Sequence, residues 1–417
     1  MNSNKIDGTV ADCKGGIILI SIGIDVSKGK STVCAINHFG EMLISPVDVF
    51  HTKSSLKMLV GRIQSLHDEC KVVLEATGHY HYPVVAYLKQ NGIPVVIANP
   101  LLMKKFNDVT IRKGKSDKMD STKIARFGLH FWSTLKESYN ENSVYEDLSL
   151  LSRQYLHYTS MLVNSKLSLL TILDQTMPSI QEVFRLNAEI SGKDKLRDFV
   201  EAFWHFDNIT RMSEKKFSQA FEKWAKKKGY RYSETKAKEV YALATNGIPT
   251  LSSNTAAAKH AVLESTRMLK EIENTLAEIL SQMIDLASEL KEFQILKSMP
   301  GIGDKLAVIF IAEIGDIRKF QSGKSLIGYA GIDSPPFESG KFTGTHRHIS
   351  KRGNKHLRRT GYLIMKSIKA HHPLSNPVYE FMLKKESEGK AKKVAMIAGF
   401  NKFLRIYYAQ VKDAYES

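Results

Sequence analysis

Asp25 lies within an apolar run formed by Ile20, Ile22, Ile24 and Val26. Burying an unpaired carboxylate there would cost several kcal/mol, so it requires a cation. Glu75 closes the apolar run Val72-Val73-Leu74 just before Thr77-Gly78. Its carboxylate therefore emerges at a strand end, where functional sites collect. Asp117 and Asp120 are spaced i,i+3, which on a helix sets both on one face about 5 to 6 Å apart at the β-carbons. Like charges at that spacing repel unless a metal bridges them. Four hard oxygen donors suit Mg²⁺ rather than Zn²⁺, with Mn²⁺ as a substitute, and two such ions can assist both the attacking and the leaving oxygen of a phosphodiester. Each acid alone has an ordinary alternative. Asp117 and Asp120 could be favoured by the dipole of a helix first turn, and Glu75 could be a solvated turn residue. Asp25 resists such a reading, and the order Asp, Glu, Asp-x-x-Asp across alternating strands and helices is a joint signal for phosphoryl transfer.

The elements that must position these acids are visible as pattern. Residues 17–50 alternate short β-branched runs with turn residues and predict three consecutive antiparallel strands. A helical pattern around Leu56 to Leu66 leads to a strand at 71–77, and another around Tyr82 to Gln90 leads to a strand at 94–100. Ser116 is placed as the N-cap of a helix running through Ile124 and Phe127. The result is an α/β first domain built on a mixed sheet. From about Tyr145 to Met177 a three-four apolar spacing predicts a long helix stopped by Pro178. A second seam, Leu269, Ile272, Leu276, Ile279, Met283, Leu286 and Leu290, holds a heptad. The two predict a coiled coil, equally readable as pairing within one chain or as dimerisation. The expected organisation is a tail at 1–14, the α/β domain at 15–140, a helical and coiled-coil region at 141–295 and a mainly helical domain at 296–417. Within the third part, residues 179–258 form a polar insertion rich in Lys and aromatic residues, with no functional signal.

At 417 residues the chain is too long for one ordinary core, and 43% hydrophobic with 25% charged residues is a soluble globular composition. Disordered and collagen-like classes are excluded. Lys and Arg number 60 against 43 acidic residues, a net charge of +17 that complements a polyanion. Cys13, Cys34 and Cys70 lack metal-ligand spacing and fit a reducing, cytoplasmic setting. Gly15 to Ile24 reads as a buried strand, and no apolar run approaches the roughly 20 residues of a membrane span.

The positive charge is concentrated. Between Lys341 and Arg359 stand Lys341, Arg347, Lys351, Arg352, Lys355, Arg358 and Arg359 without one acidic residue, and the intervening glycines would let backbone approach phosphate. Pro300-Gly301-Ile302-Gly303 looks like the turn of a helix-hairpin-helix, whose amides at Gly301 and Gly303 can hold a phosphate. Lys104, Lys105, Arg112, Lys113, Lys115 and Lys118 surround the approach to the paired aspartates, either guiding a strand or forming a solvated loop.

Taken together, the sequence resembles the DEDD transposases of the IS110 group of insertion sequences, relatives of the Piv DNA invertases. The resemblance rests on IGIDVSK around Asp25, LEATGHY around Glu75, IANP at 97–100 and KSDKMDSTKIA around Asp117 and Asp120. It continues through SMPGIGDKLAVIFIAEIGD, FQSGKSLIGYAGIDSPPFESG and ISKRGNKHLRRTGY in the last domain. It implies a RuvC-like, RNase H-type first domain carrying a Mg²⁺-binding tetrad, a linking coiled coil and a C-terminal transposase domain. It further implies that Ser339, in Phe337-Glu338-Ser339-Gly340, is the DNA nucleophile; the residues alone would leave Ser322, Ser325, Ser334 and Ser350 equally eligible. Implied partners are donor and target DNA, a structured noncoding bridge RNA, and further copies of the chain in a dimer to tetramer that shares sites, acting on the nucleoid of a prokaryotic cytoplasm. The insertion at 179–258 is longer than the compact middle of the family.

Rival readings are separable. IGIDVSKGKSTVCAIN also resembles the first phosphate loop of sugar kinases and actin-like ATPases, but no second Asp-x-Gly loop follows and Gly15-Gly16 is the only Gly-Gly pair. A hydrolytic RuvC-like junction nuclease would need the tetrad but not Ser339, and a site-specific invertase would use the same residues for inversion. An architectural binder would need only the basic surfaces.

Overall fold

A computed structural model describes residues 18–75, 78–98, 100–107, 116–135, 143–184, 194–336, 338–339, 342–343 and 348–417. The chain divides into two compact units, Met1–Asn140 and Glu141–Ser417. Among the described residues no helix is long and apolar enough to cross a membrane.

The first unit runs β1 (Leu19–Val26), β2 (Lys30–Asn37), β3 (Met42–Phe50), α1 (Lys53–Gln64), β4 (Glu69–Glu75), α2 (Tyr82–Gln90), β5 (Val95–Ala98), α3 (Pro100–Asn107) and α4 (Asp117–His130). Its sheet has the order β3-β2-β1-β4-β5. The first three strands pair antiparallel, whereas β4 lies parallel to both β1 and β5. This is the mixed sheet that the alternating pattern predicts. The last predicted strand is shorter than expected, because Pro100 instead opens α3, where a proline costs no helical hydrogen bond.

Both faces of the central strands are covered, which explains their nearly continuous apolar sequence. Ile20, Ile22, Ile24, Val72 and Leu74 share a core with Leu56, Leu59 and Ile63 of α1 and Val84 and Leu88 of α2. Val73, Val96 and Ala98 point the other way, onto Met103 of α3 and Ile124 and Phe127 of α4. Helix α4 starts as expected, with the Ser116 hydroxyl accepting from the Met119 amide at 3.3 Å. It seats on the sheet through two glycines. A β-carbon on Gly23 would lie 2.2 Å from the Ser121 carbonyl oxygen, and one on Gly128 would lie 2.1 Å from Ser21 Oγ.

The second unit begins with α5 (Ser143–Thr176), α6 (Ile180–Val183), α7 (Lys195–Ala202), α8 (Asp207–Thr210), α9 (Glu214–Lys228), α10 (Glu234–Asn246) and α11 (Ala256–Ala287). It continues through α12 (Lys291–Ser298), α13 (Asp304–Ile314), a 3-10 turn (Ile317–Lys319), α14 (Gly323–Ala330) and the short strands β6 (Glu338–Ser339) and β7 (Phe342–Thr343). Helices α15 (Lys355–His371), α16 (Pro377–Ser387) and α17 (Lys392–Glu416) complete it.

The two apolar seams meet within the chain. Tyr145 and Leu148 at the start of α5 share a core with Met283 and Ala287 at the end of α11. Leu169 and Leu173 at the end of α5 share another with Val262 and Leu269 near the start of α11. The helices are thus antiparallel, and each is roughly 50 Å long at 1.5 Å per residue. The predicted heptad overruns its helix by one position: α11 ends at Ala287, and Leu290 caps the separate helix α12. At the far end of this hairpin the same core continues into the 179–258 region through Phe199, Phe217, Phe221 and Trp224. Tyr230 and Trp224 of that region both bond to Asp198, at 2.7 and 3.2 Å.

At the near end α5, α12 and α17 are tied through Glu292, a fully buried carboxylate that accepts from the Tyr145 and Tyr415 hydroxyls, each at 2.7 Å. A second buried carboxylate, Glu313 of α13, accepts two bonds from Arg153 at 2.9 and 3.1 Å, one from Ser152 at 3.1 Å and one from the Asn354 amide at 2.9 Å. Four donors compensate its loss of water, as a buried anion demands.

Candidate active site and nucleic-acid interface

Strand register decides where the acids of the first unit point. Gly23 pairs with Val73 and Ile24 with Leu74 across the parallel ladder, so the next step along both strands is Asp25 and Glu75. Side chains alternate along a strand, so Asp25 shares the face of Gly23 and Glu75 that of Val73. That face is the one covered by α4, whose first turn carries Asp117 and Asp120. The Glu75 carboxyl is pushed above its ordinary range by burial and by the negative charge of Asp120. Asp25, Glu75 and Asp120 are half-buried and Asp117 is exposed.

The Asp120 carboxylate accepts from Lys123 at 3.0 Å, one turn along α4. Asp117 acts on the hairpin end of the sheet, where its charge adds to the raised Lys30 ammonium, chiefly the effect of a 2.8 Å bond to Asp48. As they stand the carboxylates do not close on a common point: among the described residues no three Asp, Glu, His or Cys side chains gather tightly enough to hold an ion. The donors are hard oxygens, and the raised Glu75 carboxyl registers burial first and then the repulsion of Asp120, both of which a divalent cation between them would offset. In its donor chemistry the set fits Mg²⁺ or Mn²⁺.

One acid at this edge was not singled out from sequence. Thr32 pairs with Asp25 on one side and with Asp48 on the other, which places Glu75, Asp25, Thr32 and Asp48 in one row across four strands. Asp48 accepts from Thr32 and from Lys30, each at 2.8 Å, and those bonds hold its carboxyl below the ordinary range. An aspartate within the β-branched run of β3 was a readable signal, since Asp is depleted from strands. Without the register, nothing tied it to Asp25.

The basic residues of the second unit divide. Ser339 stands in β6, opposite Phe342 of β7 in a short hairpin. Lys341 and Arg347, like Arg112, Lys113 and Lys115 of the first unit, lie outside the described residues. Lys104 and Lys105 are exposed in the last turn of α3. The root of the Ser339 loop is stapled by backbone bonds from Ser350 to Asp333 at 2.8 Å, Lys351 to Gly331 at 3.0 Å and Asn354 to Tyr329 at 2.7 Å. A β-carbon on Gly353 would fall 2.2 Å from the Tyr329 carbonyl oxygen. This glycine therefore serves backbone packing, where the sequence suggested an approach to phosphate. Arg358 is likewise engaged inside the protein, donating to the carbonyls of Ala330 and Gly353 at 3.0 Å each. Lys351, Arg352, Lys355 and Arg359 are exposed.

The PGIG turn also divides. Gly301, at φ 84°, packs on the backbone of α15 near Ile368, and its carbonyl accepts from Ser367 at 2.6 Å. Gly303 begins α13 with no side-chain cap, and a β-carbon there would meet open space.

Comparison with known proteins agrees at both ends of the chain. Residues 22–178 match the DEDD-type IS110 transposase model, described as a transposase, and residues 293–380 match the model of the IS116/IS110/IS902 transposase family. The chain is 21% identical to an uncharacterized 44.8 kDa protein of insertion element IS116 from Streptomyces clavuligerus, over 94% of this chain and 95% of the relative. It is 22% identical to the pilin gene-inverting protein of Moraxella bovis, again over 94% and 95%. Among solved structures, Thermus thermophilus RuvC in complex with a Holliday junction substrate aligns with 29% of this chain and 99% of its own at 15% identity and a TM-score of 0.23. With transposase models matching the acid-bearing unit and the serine-bearing unit alike, and relatives aligned along nearly the whole length, the chain belongs to the IS110 family of DNA transposases and recombinases.

Proposed function

We propose that this protein is the transposase of a mobile insertion sequence and that it cuts and rejoins DNA through a covalent link to Ser339. The observation that carries the reading is the α4 face of the sheet, where Asp25 and Glu75 stand on neighbouring strand ends beneath the helix turn of Asp117 and Asp120. Those four carboxylates would hold Mg²⁺, which supplies Lewis-acid stabilisation of charge on the phosphate oxygens. Asp25 and Glu75, fixed by a fully hydrogen-bonded sheet, provide the rigid half of the site. Asp117 and Asp120, on a helix pinned by Gly23, provide the other half. The Ser339 hydroxyl oxygen forms the new bond to phosphorus, the bond from phosphorus to the leaving deoxyribose oxygen breaks, and the serine proton ends on that oxygen or in water. The phosphodiester energy is kept in the serine ester, so rejoining needs no ATP.

The net charge of +17 supports a polyanionic partner, and sequence reading by a bound structured RNA is compatible with it. Assembly into a dimer or tetramer would let copies share sites. Inversion of a DNA segment is the second reading, favoured by the full-length likeness to the pilin gene-inverting protein. The test is incubation with labelled donor and target DNA, Mg²⁺ and the copurified RNA, followed by mass spectrometry of protein–DNA adducts. A phosphodiester link on Ser339, lost in Ser339→Ala, is expected; an adduct on another serine overturns the assignment. Sequencing the joined products separates transposition from inversion.

A further inference from the structure

Beside the root of the Ser339 loop the second unit holds a cavity of about 1040 Å³. Its floor is apolar, formed by Ile332, Ile349, Ile397 and the ring of Phe381, with the exposed Val394 at its edge. Its rim carries Lys351, Lys393, Lys402 and Arg405 together with the polar Ser334, His348 and Asn401, and among the described residues no acidic side chain lines it. One wall is rigid. Ser350 is bonded to Asp333 by backbone and by hydroxyl, at 2.8 and 2.5 Å, and Lys351 is held at φ 53°, a left-handed conformation that lysine rarely adopts. Another part of the lining comes from α17, where Asn401 accepts from the Arg405 guanidinium at 3.0 Å. Lys402 lies 5.0 Å from the Phe381 ring centre, setting an aromatic face beside a positive charge.

An apolar floor with one aromatic ring beside a rim carrying four basic side chains is the chemistry of an unstacked nucleobase and its flanking phosphates. A duplex keeps its bases stacked, so it would use the rim and leave the floor idle. An acidic peptide would match the rim but has no need of a flat ring. Resting on the reading of this chain as a DNA-cutting enzyme, we propose that the cavity binds single-stranded DNA. One base lies against Phe381 and Ile397, with phosphates on Lys351, Lys393, Lys402 and Arg405, so that an opened strand is held where the Ser339 loop begins.

The experiment is fluorescence anisotropy of the full-length protein with a labelled oligothymidylate, without divalent metal, alongside a blunt duplex and an oligouridylate of the same length. Phe381→Leu should weaken oligothymidylate at least about five-fold, the lower range of one stacked base, while leaving the duplex unchanged. The double variant Lys393→Ala with Lys402→Ala, on exposed or half-exposed positions, should flatten the single-strand salt slope by about 1.4 log units, near 0.7 per contact. Thermal unfolding alongside shows that both variants fold. Equal weakening of duplex and single strand, no effect on either, or loss confined to oligouridylate would each overturn the proposal. Because the assay involves no cleavage, failure here leaves the Ser339 adduct test intact, and failure of that test leaves this one readable.

Discussion

The acid-bearing edge of the first unit and the serine-bearing loop of the second are built on opposite plans. At the edge Asp25 and Glu75 are placed by hydrogen-bonded register, and α4, which carries Asp117 and Asp120, is seated by Gly23 and Gly128, where no side chain fits. In the second unit Asp333, Ser350 and Gly353 are held by backbone bonds and close packing, and Ser339 stands on a two-residue strand. The difference teaches that the two proposed roles, holding a metal and carrying a nucleophile, place different demands on a fold. A set of like charges needs a frame stiff enough to oppose its repulsion. A nucleophile that must meet, bond and release DNA is better carried on a short hairpin above a fixed base.

The sharpest way to break this comparison is at the acids. Asp25→Asn should lower strand cleavage about a thousand-fold or more while nucleic-acid binding persists, because what is lost is charge and not fold. Asp48→Asn, two strands over in the same row, should leave most of the cleavage. If gel assays show the two variants equally dead, the tetrad has the wrong membership. Next in size is Glu313→Ala, which leaves the buried Ser152 hydroxyl and the Asn354 amide short of an acceptor while the exposed Arg153 turns to water, and should cost the second unit about 1 to 3 kcal/mol in chemical denaturation.

Gly23→Ala should cost the first unit about 1 to 3 kcal/mol by forcing α4 off the sheet, an effect read as earlier unfolding at Trp132. A silent substitution there would remove the argument for a stiff acid frame. Smaller still, Arg352→Ala and Arg359→Ala should each flatten the salt dependence of duplex binding by about 0.9 log units where they meet phosphate. Arg358→Ala, engaged with Ala330 and Gly353, should instead lower stability and leave the slope alone.

The smallest effect concerns pH. Burial holds the His81 imidazole, only 5% exposed, below its ordinary value. The unfolded chain then takes up a proton that the folded chain refuses, so stability is complete above roughly pH 6.5 and declines as the pH falls below it. His81→Gln should flatten that acid limb of the thermal-unfolding profile.

Much of the first unit was legible because strands and helices alternate on a short scale. Period-two runs, the Ser116 cap and the apolar seams each correspond to a local physical rule, and β1 to β4, α1, α2 and α4 follow them. What escaped depended on contacts far apart in sequence. Asp48 joins the acid row only through its pairing with Thr32, and the direction of the α5–α11 pair only through shared cores. Gly353 and Arg358 looked like phosphate ligands because a glycine-and-arginine segment has the same composition whether it greets a phosphate or a carbonyl. The backbone of Tyr329 and Ala330, more than twenty residues away, decides between them.

The α5–α11 hairpin separates two bodies that do not share a core. Such a strut is a ruler whose length can be edited. Adding seven residues to each helix would carry the aromatic tip about 10 Å outward while returning every apolar stripe to its partner. Removing a single residue from only one of the helices would turn its stripe by about 100° and peel the tip away. Reach can therefore change in whole heptads, a mode of variation open to this middle region and closed to the sheet that carries the acids.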